Sequence, residues 1–75
     1  MTRLAPISSK KLIKILARLG FAETHQSGSH RFFFNEANGL TATVPDHGSE
    51  DIGRGLLRKI LRDIEIEPEE FGTLR

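Results

Sequence analysis

Two tight-turn signals enclose the most apolar segment of the chain, and together they restrict its fold more than any other feature. Ser27-Gly28 precedes the segment and Asn38-Gly39 follows it, and an Asn-Gly pair tolerates the positive φ angles of a hairpin. Between the two turns lie three consecutive phenylalanines, which favour a strand. Strands are therefore predicted over residues 21–26, 30–35 and 40–44, joined as an antiparallel meander, and Pro45 ends the last of them.

A first helix is predicted immediately before these strands. Ser8 is suited to cap its N-terminus, because a serine hydroxyl accepts hydrogen bonds from the free amides of a first helical turn. Gly20 stands just after the helix, where a left-handed backbone is common. The apolar stripe between them has helical spacing and consists of Leu12, Ile15, Leu16 and Leu19.

A second helix is predicted after the strands, from Ile52 or Arg54 to about Ile64. Gly53 and Gly55 each disfavour helix by about 1 kcal/mol, which leaves its start open. Pro68 fits the first position of a last helical turn that ends at Phe71, and Phe71 is expected to close the core. The expected apolar face of the second helix is Ile52, Leu56, Leu57, Ile60, Leu61 and Ile64.

The predicted order is α-β-β-β-α, an α+β fold in which two helices cover one face of a three-stranded antiparallel sheet. A chain of 75 residues allows one domain, residues 1–75. On the middle strand, Phe32 and Phe34 are expected to fill the core. Phe33 is expected to face outward, where it can stack on a base or dock a protein partner, and we favour the partner.

Charge is distributed unevenly along the chain. Residues 1–62 carry ten Lys or Arg and five Asp or Glu, whereas residues 63–75 carry one Arg and five acids. A basic body with an acidic tail favours a polyanionic partner, although a solvated surface of mixed charge explains the same counts. The candidates for contacts with RNA phosphates are Lys10, Lys11, Lys14, Arg31, Arg54, Arg58 and Lys59.

Composition also excludes several classes of protein. The chain has no cysteine, so neither a disulfide framework nor a zinc–thiolate site stabilises it. Its apolar runs are far shorter than the ~20 residues that span a bilayer, and its first residues lack the apolar segment of a secretory signal. We therefore expect a cytoplasmic protein with no membrane contact.

His30 is the clearest candidate for a catalytic residue, because it stands at the start of the middle strand, two residues after the Ser27-Gly28 turn pair. RNA cleavage requires a base for the 2′-hydroxyl and an acid for the leaving 5′-oxygen, and histidine, with an unperturbed pKa of ~6.5, suits either task. Arg31 is the nearest cation, although neighbouring strand residues point to opposite faces. A histidine at a strand start is also commonly structural, and His30 shares the parity of the two phenylalanines expected in the core.

Three segments in order resemble a known family: "SKKLIKILARLGF", "QSGSHRFFF" and "TVPDHGSEDIGRGLLRKILRDIEIEPEEF". The chain is similar, over about residues 8 to 71, to the HicA (YcfA-like) toxins of bacterial and archaeal toxin–antitoxin pairs. The resemblance rests on a helix ending in Gly-Phe, then Gly-Ser-His, then Val-Pro-x-His, then Gly-x-Leu-x-x-Ile-Leu. One departure is the acidic pair Glu50-Asp51, which stands where relatives are commonly basic or neutral.

This resemblance implies a fold like the double-stranded-RNA-binding domain and the activity of an mRNA interferase, a ribonuclease that needs no metal and is blocked by a HicB antitoxin. It implies that His30, the histidine of Gly-Ser-His, is catalytic, and that no cofactor is needed. His47 matches a position often occupied by histidine in relatives, but the resemblance assigns it no role. From the residues alone His47 is expected to be a loop residue and His25 an exposed strand residue, with a three-histidine metal site (His25, His30 and His47) as a further alternative.

Three functions remain open at this point. The chain is a HicA-like ribonuclease with His30 as general acid or base, a small RNA-binding module in which His30 is structural, or a protein that binds a HicB-like partner without acting on RNA. The sequence leaves open the second catalytic group, whether cleavage is selective for sequence, and whether an exposed edge strand pairs with another copy.

Overall fold

A three-stranded antiparallel sheet with helices on one of its faces organises the computed structural model, which describes residues 4–48 and 50–75. Residues 1–3 of the N-terminus and Ser49 of the predicted polar loop lie outside the described residues. The elements are β1 (Ile7–Ser8), α1 (Ser9–Arg18), β2 (Ala22–Ser27), β3 (His30–Phe34), β4 (Thr41–Pro45), β5 (Asp51–Ile52), α2 (Arg54–Asp63) and α3 (Pro68–Leu74). The predicted α+β class and the α-β-β-β-α order are confirmed.

The ends of α1 follow from the residues that flank it. The Ser8 side chain accepts a hydrogen bond from the Lys11 amide at 3.1 Å, as predicted for an N-cap. At the other end Gly20 has φ +98°, and the Phe21 amide donates to the Leu16 carbonyl at 2.9 Å. This bond closes a Schellman turn, which ends the helix and turns the chain into β2.

The sheet has the strand order β2-β3-β4, and both pairings are antiparallel. In β3, Phe33 pairs with Ala42 of β4 and both are buried against the helices. Phe34 is 38% exposed, and His30 and Phe32 share its face. The predicted parity of β3 is therefore wrong: Phe33 belongs to the core, and its assignment as a partner-binding residue is incompatible with a side chain that is 4% exposed.

One strand pairing that the sequence did not indicate joins the segments that precede α1 and α2. Ile7 of β1 pairs with Ile52 of β5 in a separate two-stranded antiparallel sheet, and both side chains are buried. Ile52 therefore lies in a strand, and α2 begins at Arg54, one of the two predicted starts. Short strands of this kind tie the segment before α1 to the segment before α2.

The C-terminal helices complete the core with one exception to the expected pattern. Leu57, Ile60 and Leu61 of α2 are buried as predicted, but Leu56 is 41% exposed. Pro68 begins α3 and Phe71 is fully buried, both as expected, although α3 continues to Leu74. Within residues 4–48 and 50–75, no helix has the length and apolar character that crossing a membrane requires.

Candidate functional site

His30 lies on the open face of the sheet, at the first position of β3. Its neighbours across the two pairings are Ser27 of β2 and Pro45 of β4, and its side chain is exposed to solvent. The turn before it is fixed by Gly28, whose φ is +59°, and by the Asp46 amide, which donates to the Ser29 carbonyl at 2.6 Å. The interpretation of His30 as a residue packed in the core is wrong, because the helices cover the opposite face.

A cleft of about 400 Å³ opens beside His30, between the end of β4 and the first half of α2. Its charged or titratable lining residues are His30, His47, Glu50, Asp51 and Lys59. The rest of the lining is mostly apolar or small and consists of Thr43, Pro45, Ile52, Gly53, Leu56 and Ile60. We call this site the His30 cleft.

Leu56 is a cleft residue that the helical pattern assigned to the core. The stripe from Ile52 to Ile64 is wide, and only part of it can face the sheet. Leu56 lies at its edge, is 41% exposed, and lines the His30 cleft. The helical pattern gave no signal of this exposure, because Leu56 stands four residues before Ile60, just as the buried Leu57 stands four residues before Leu61.

Arg31 is not available as a phosphate contact in the way the sequence suggested. Its Nε and Nη2 donate to the two carboxylate oxygens of Glu23 at 2.8 and 2.7 Å, and its Nη1 donates to Asp46 Oδ2 at 3.1 Å. Asp46 also accepts from the Ser9 hydroxyl at 3.2 Å. Two carboxylates thus compensate one guanidinium, on the face opposite His30, and the network joins the sheet to the start of α1.

The same network shifts three pKa values. The hydrogen bond from Arg31 lowers the pKa of the Glu23 carboxyl. For Asp46 the pKa is lowered first by the hydrogen bond from Arg31, and then by those from the Gly48 amide and the Ser9 hydroxyl. The pKa of Arg31 is raised, mainly by its hydrogen bond to Glu23. All three groups therefore stay ionised at neutral pH and hold one another in place.

The other predicted cations are exposed, but they lie on several surfaces. Lys59 lines the His30 cleft, where its Nζ also contacts Asp63 at 3.0 Å. Lys11 and Lys14 line a second groove of about 490 Å³ together with Arg18 and Arg75. Lys10 is exposed on α1, and Arg54 and Arg58 are exposed on α2. Among the described cations, Lys59 is thus the one that shares a cleft with His30.

The open face of the sheet also carries aromatic rings. The His25 ring stacks on Phe32, with centroids 4.3 Å apart and an angle of 8° between the rings. His25 is an exposed residue of β2, as expected, and it does not line the His30 cleft. No group of three or more His, Asp or Glu side chains suited to hold a metal ion occurs in the described part of the chain.

The comparison with protein families decides which kind of protein presents this site. The profile of the family described as "HicA toxin of bacterial toxin-antitoxin" matches residues 9–66, which is more than half of the chain. The chain belongs to the HicA toxin family. A search of the curated proteins finds no match.

As a HicA toxin, the chain is the toxin component of a toxin–antitoxin system, which implies an antitoxin partner. The matched span runs from the first residue of α1 to Ile66, just past the end of α2. It therefore contains His30, His47 and every cation considered above for RNA. The HicA match leaves out α3, whose Phe71 completes the core.

Proposed function

We propose that this HicA toxin is an endoribonuclease that cleaves mRNA without a metal ion, and that His30 transfers a proton during cleavage. The observation that carries the proposal is the position of His30, which is exposed on the open sheet face and lines a cleft of about 400 Å³ with Lys59. A nucleotide fits a cleft of this size, since small-molecule sites span about 300–1,000 Å³.

The chemistry of RNA makes one such cleft sufficient. The 2′-hydroxyl is an internal nucleophile, so the protein needs to move protons and to stabilise charge on the phosphate. A histidine does the first near neutral pH, and the Lys59 ammonium at the cleft supports the second. Exposed cations of α1 and α2 add attraction for the rest of the strand, which is independent of sequence.

The test compares the wild type with His30→Ala, and uses His25→Ala as the matched control. His25 is an exposed histidine of the same sheet face that does not line the cleft. In cells, we expect wild type and His25→Ala to arrest growth and to fragment mRNA. In an assay with purified protein, we expect both to cleave RNA in the presence of a metal chelator. For His30→Ala we expect a rate about 10²–10⁴-fold lower. Equal cleavage by all three proteins, or cleavage lost on adding chelator, would contradict the proposal.

Binding of RNA is tested separately through its salt dependence. Each phosphate contact with a single strand contributes about −0.7 to the slope of log K against log salt concentration. Replacing Lys14, an exposed cation of α1, by Gln should make this slope less steep. An unchanged slope would show that the α1 cations form a solvated surface.

A second function remains because of one observation. Glu50 and Asp51 line the same cleft as His30, and their carboxylates repel a phosphate. This favours a module without turnover, which binds a protein partner at the cleft or binds RNA through the exposed cations of other surfaces. In that case wild type and His30→Ala leave RNA equally intact.

For the partner we propose a HicB-like antitoxin that covers the open face. Phe34 and Leu56 are large apolar side chains with 38% and 41% of their surface exposed. His30 shares strand β3 with Phe34 and lines the same cleft as Leu56. A protein that buries both side chains also excludes RNA from His30. The partner is expected from the neighbouring gene, and toxin, antitoxin and mRNA would then meet in the cytoplasm.

The docking test measures the affinity of that partner for single variants. Phe34→Ala and Leu56→Ala should each weaken the complex by about fivefold or more, because well-packed apolar anchors cost more than 1 kcal/mol when truncated. Glu69→Gln, on the exposed surface of α3, is the control and should bind like the wild type. Unchanged affinity for both apolar variants would place the partner elsewhere.

A further inference from the structure

His47 is the second imidazole of the His30 cleft, and nothing above gives it a task. We propose that His47 is the second proton-transfer residue, so that His30 and His47 divide the two proton transfers of RNA cleavage. This inference rests on the proposed ribonuclease function. With one histidine as the base and the other as the acid, the cleft would hold both proton-transfer groups that the reaction needs.

The backbone around His47 is fixed on both sides. The preceding residue, Asp46, donates its amide to the Ser29 carbonyl, next to His30. The following residue, Gly48, donates its amide to Asp46 Oδ1 at 3.3 Å and has φ +73°, a left-handed conformation that favours glycine. A residue held between two tied neighbours presents its side chain from a defined position, as an acid–base group requires.

The strand pairing brings the two histidines to the same cleft. His30 begins β3 and pairs with Pro45, the last residue of β4. His47 follows Pro45 by two residues and is exposed. Both histidines therefore line the cleft from adjacent chain segments, whereas His25 stacks on Phe32 at β2.

The reaction balances with these two groups alone. One imidazole removes the proton of the 2′-hydroxyl as the O2′–P bond forms, and one imidazolium donates a proton to the 5′-oxygen as the P–O5′ bond breaks. The products are a 2′,3′-cyclic phosphate and a 5′-hydroxyl. The two histidines end with exchanged protonation states, and hydrolysis of the cyclic phosphate by water or proton exchange with solvent restores them.

The other titratable groups of the cleft are Glu50, Asp51 and Lys59, and they are the competitors for this task. Carboxylates as a class can accept the 2′-hydroxyl proton, but near neutral pH they are poor proton donors to the leaving 5′-oxygen. Lysines as a class remain protonated and supply positive charge. Histidine exchanges a proton in both directions near neutral pH, which favours His47.

The experiment uses two versions of one RNA oligonucleotide that the wild type cleaves. In the second version the leaving 5′-oxygen is replaced by sulfur, because a thiolate leaves without being protonated. The proteins are the wild type, His30→Ala, His47→Ala and the control His25→Ala. His47→Asn is added in case the alanine variant fails to fold, and Glu50→Gln and Asp51→Asn test the competitors.

On the ordinary RNA we expect His30→Ala and His47→Ala each to lose about 10²–10⁴-fold in rate, with His25→Ala unchanged. On the sulfur-containing RNA the variant that lacks the acid should recover most of its rate, and the other histidine variant should not. The histidine variants should bind a 2′-deoxy version of the oligonucleotide as tightly as the wild type does. That result separates chemistry from docking.

The inference is overturned if His47→Ala and His47→Asn cleave like His25→Ala, if one of the carboxylate variants loses the rate instead, or if sulfur rescues both histidine variants or neither. These outcomes leave the proposed ribonuclease function intact as long as His30→Ala is impaired. A wild type that fails to cut any RNA overturns the proposed function itself, and this inference with it.

Discussion

Phe33 and Phe34 form a matched pair for testing the sheet orientation on which the site depends. They are neighbours on β3 and chemically identical, but Phe33 is 4% exposed and Phe34 is 38% exposed. Replacing each by alanine in the His30→Ala background measures the difference, because the proposed loss of toxicity allows both proteins to be produced. The structure predicts two very different losses of stability.

The expected magnitudes follow from burial. Truncating a buried phenylalanine to alanine costs about 3–5 kcal/mol, because the transfer free energy of the ring is lost and a cavity is left behind. A chain of 75 residues has a free energy of unfolding of about 4–11 kcal/mol, so Phe33→Ala removes a large part of it. Phe34 opens to solvent and leaves no closed cavity, so its truncation should cost about 1–2 kcal/mol.

Urea unfolding followed by circular dichroism measures both losses, and thermal unfolding gives a second reading. At about 4–8 °C for each kcal/mol, Phe33→Ala should lower Tm by at least about 12 °C, whereas Phe34→Ala should lower it by about 4–16 °C. Phe33→Leu serves as a partial repair and should recover part of the loss, because it refills some of the cavity. If Phe34→Ala proved as damaging as Phe33→Ala, the assignment of the helix-covered face would be refuted, and with it the exposure of His30.

Two further predictions concern residues away from the cleft. Arg31 lowers the pKa values of Glu23 and Asp46 in the folded protein. Their contribution to stability is therefore complete above the unfolded values near pH 4 and is lost as the pH falls through the folded values. The urea concentration at the unfolding midpoint of the wild type should decrease as the pH is lowered from about 5 to about 2, and Arg31→Met, which lacks the ion pairs, should show a flatter dependence. Gly20→Ala should lose about 1–2 kcal/mol in the same assay, because an L residue is strained at φ +98° and the added Cβ would lie 3.2 Å from Asn35 Nδ2; a variant as stable as the wild type would contradict this reasoning.

Local signals in the sequence were sufficient for the two longer helices, the three-stranded sheet and several of their ends. Ser8 caps α1 and Gly20 ends it, because each effect involves residues within one helical turn. Gly39 has φ +75° in the turn before β4, where the Asn-Gly pair indicated a hairpin. Pro68 begins α3 and Phe71 is buried. The resemblance to HicA toxins, stated from three segments of sequence, is confirmed by the family match.

The face of β3 could not be decided locally, because phenylalanines occupy both parities. Arg31 shares the parity of Phe33, and a charged residue is unusual on the helix-covered face of a sheet. The structure places Arg31 against Glu23 and Asp46, which lie 8 and 15 residues away in sequence. These long-range ion pairs allow a cation on the helix side of the sheet, and no pattern within the strand reveals them.

The remaining differences have the same origin in tertiary contacts. The pairing of Ile7 with Ile52 joins residues that are 45 positions apart, so neither flanking sequence indicates it. Leu56 has the right helical phase for the core and is nevertheless 41% exposed at the His30 cleft. Helical periodicity identifies a face, but the width of the layer under that face decides how much of it is buried.

The parity of β3 also determines the charge around His30. Because Phe33 faces the helices, Arg31 faces them too, and its positive charge offsets part of the negative charge of the two carboxylates that it holds there. Asp46 follows Pro45, the strand partner of His30, so without Arg31 its charge would lie free beside the site. The acids left near His30 are then Glu50 and Asp51 of the cleft. For the proposed RNA substrate, Arg31 thus reduces the repulsion from Asp46, although its own guanidinium is paired on the face opposite His30.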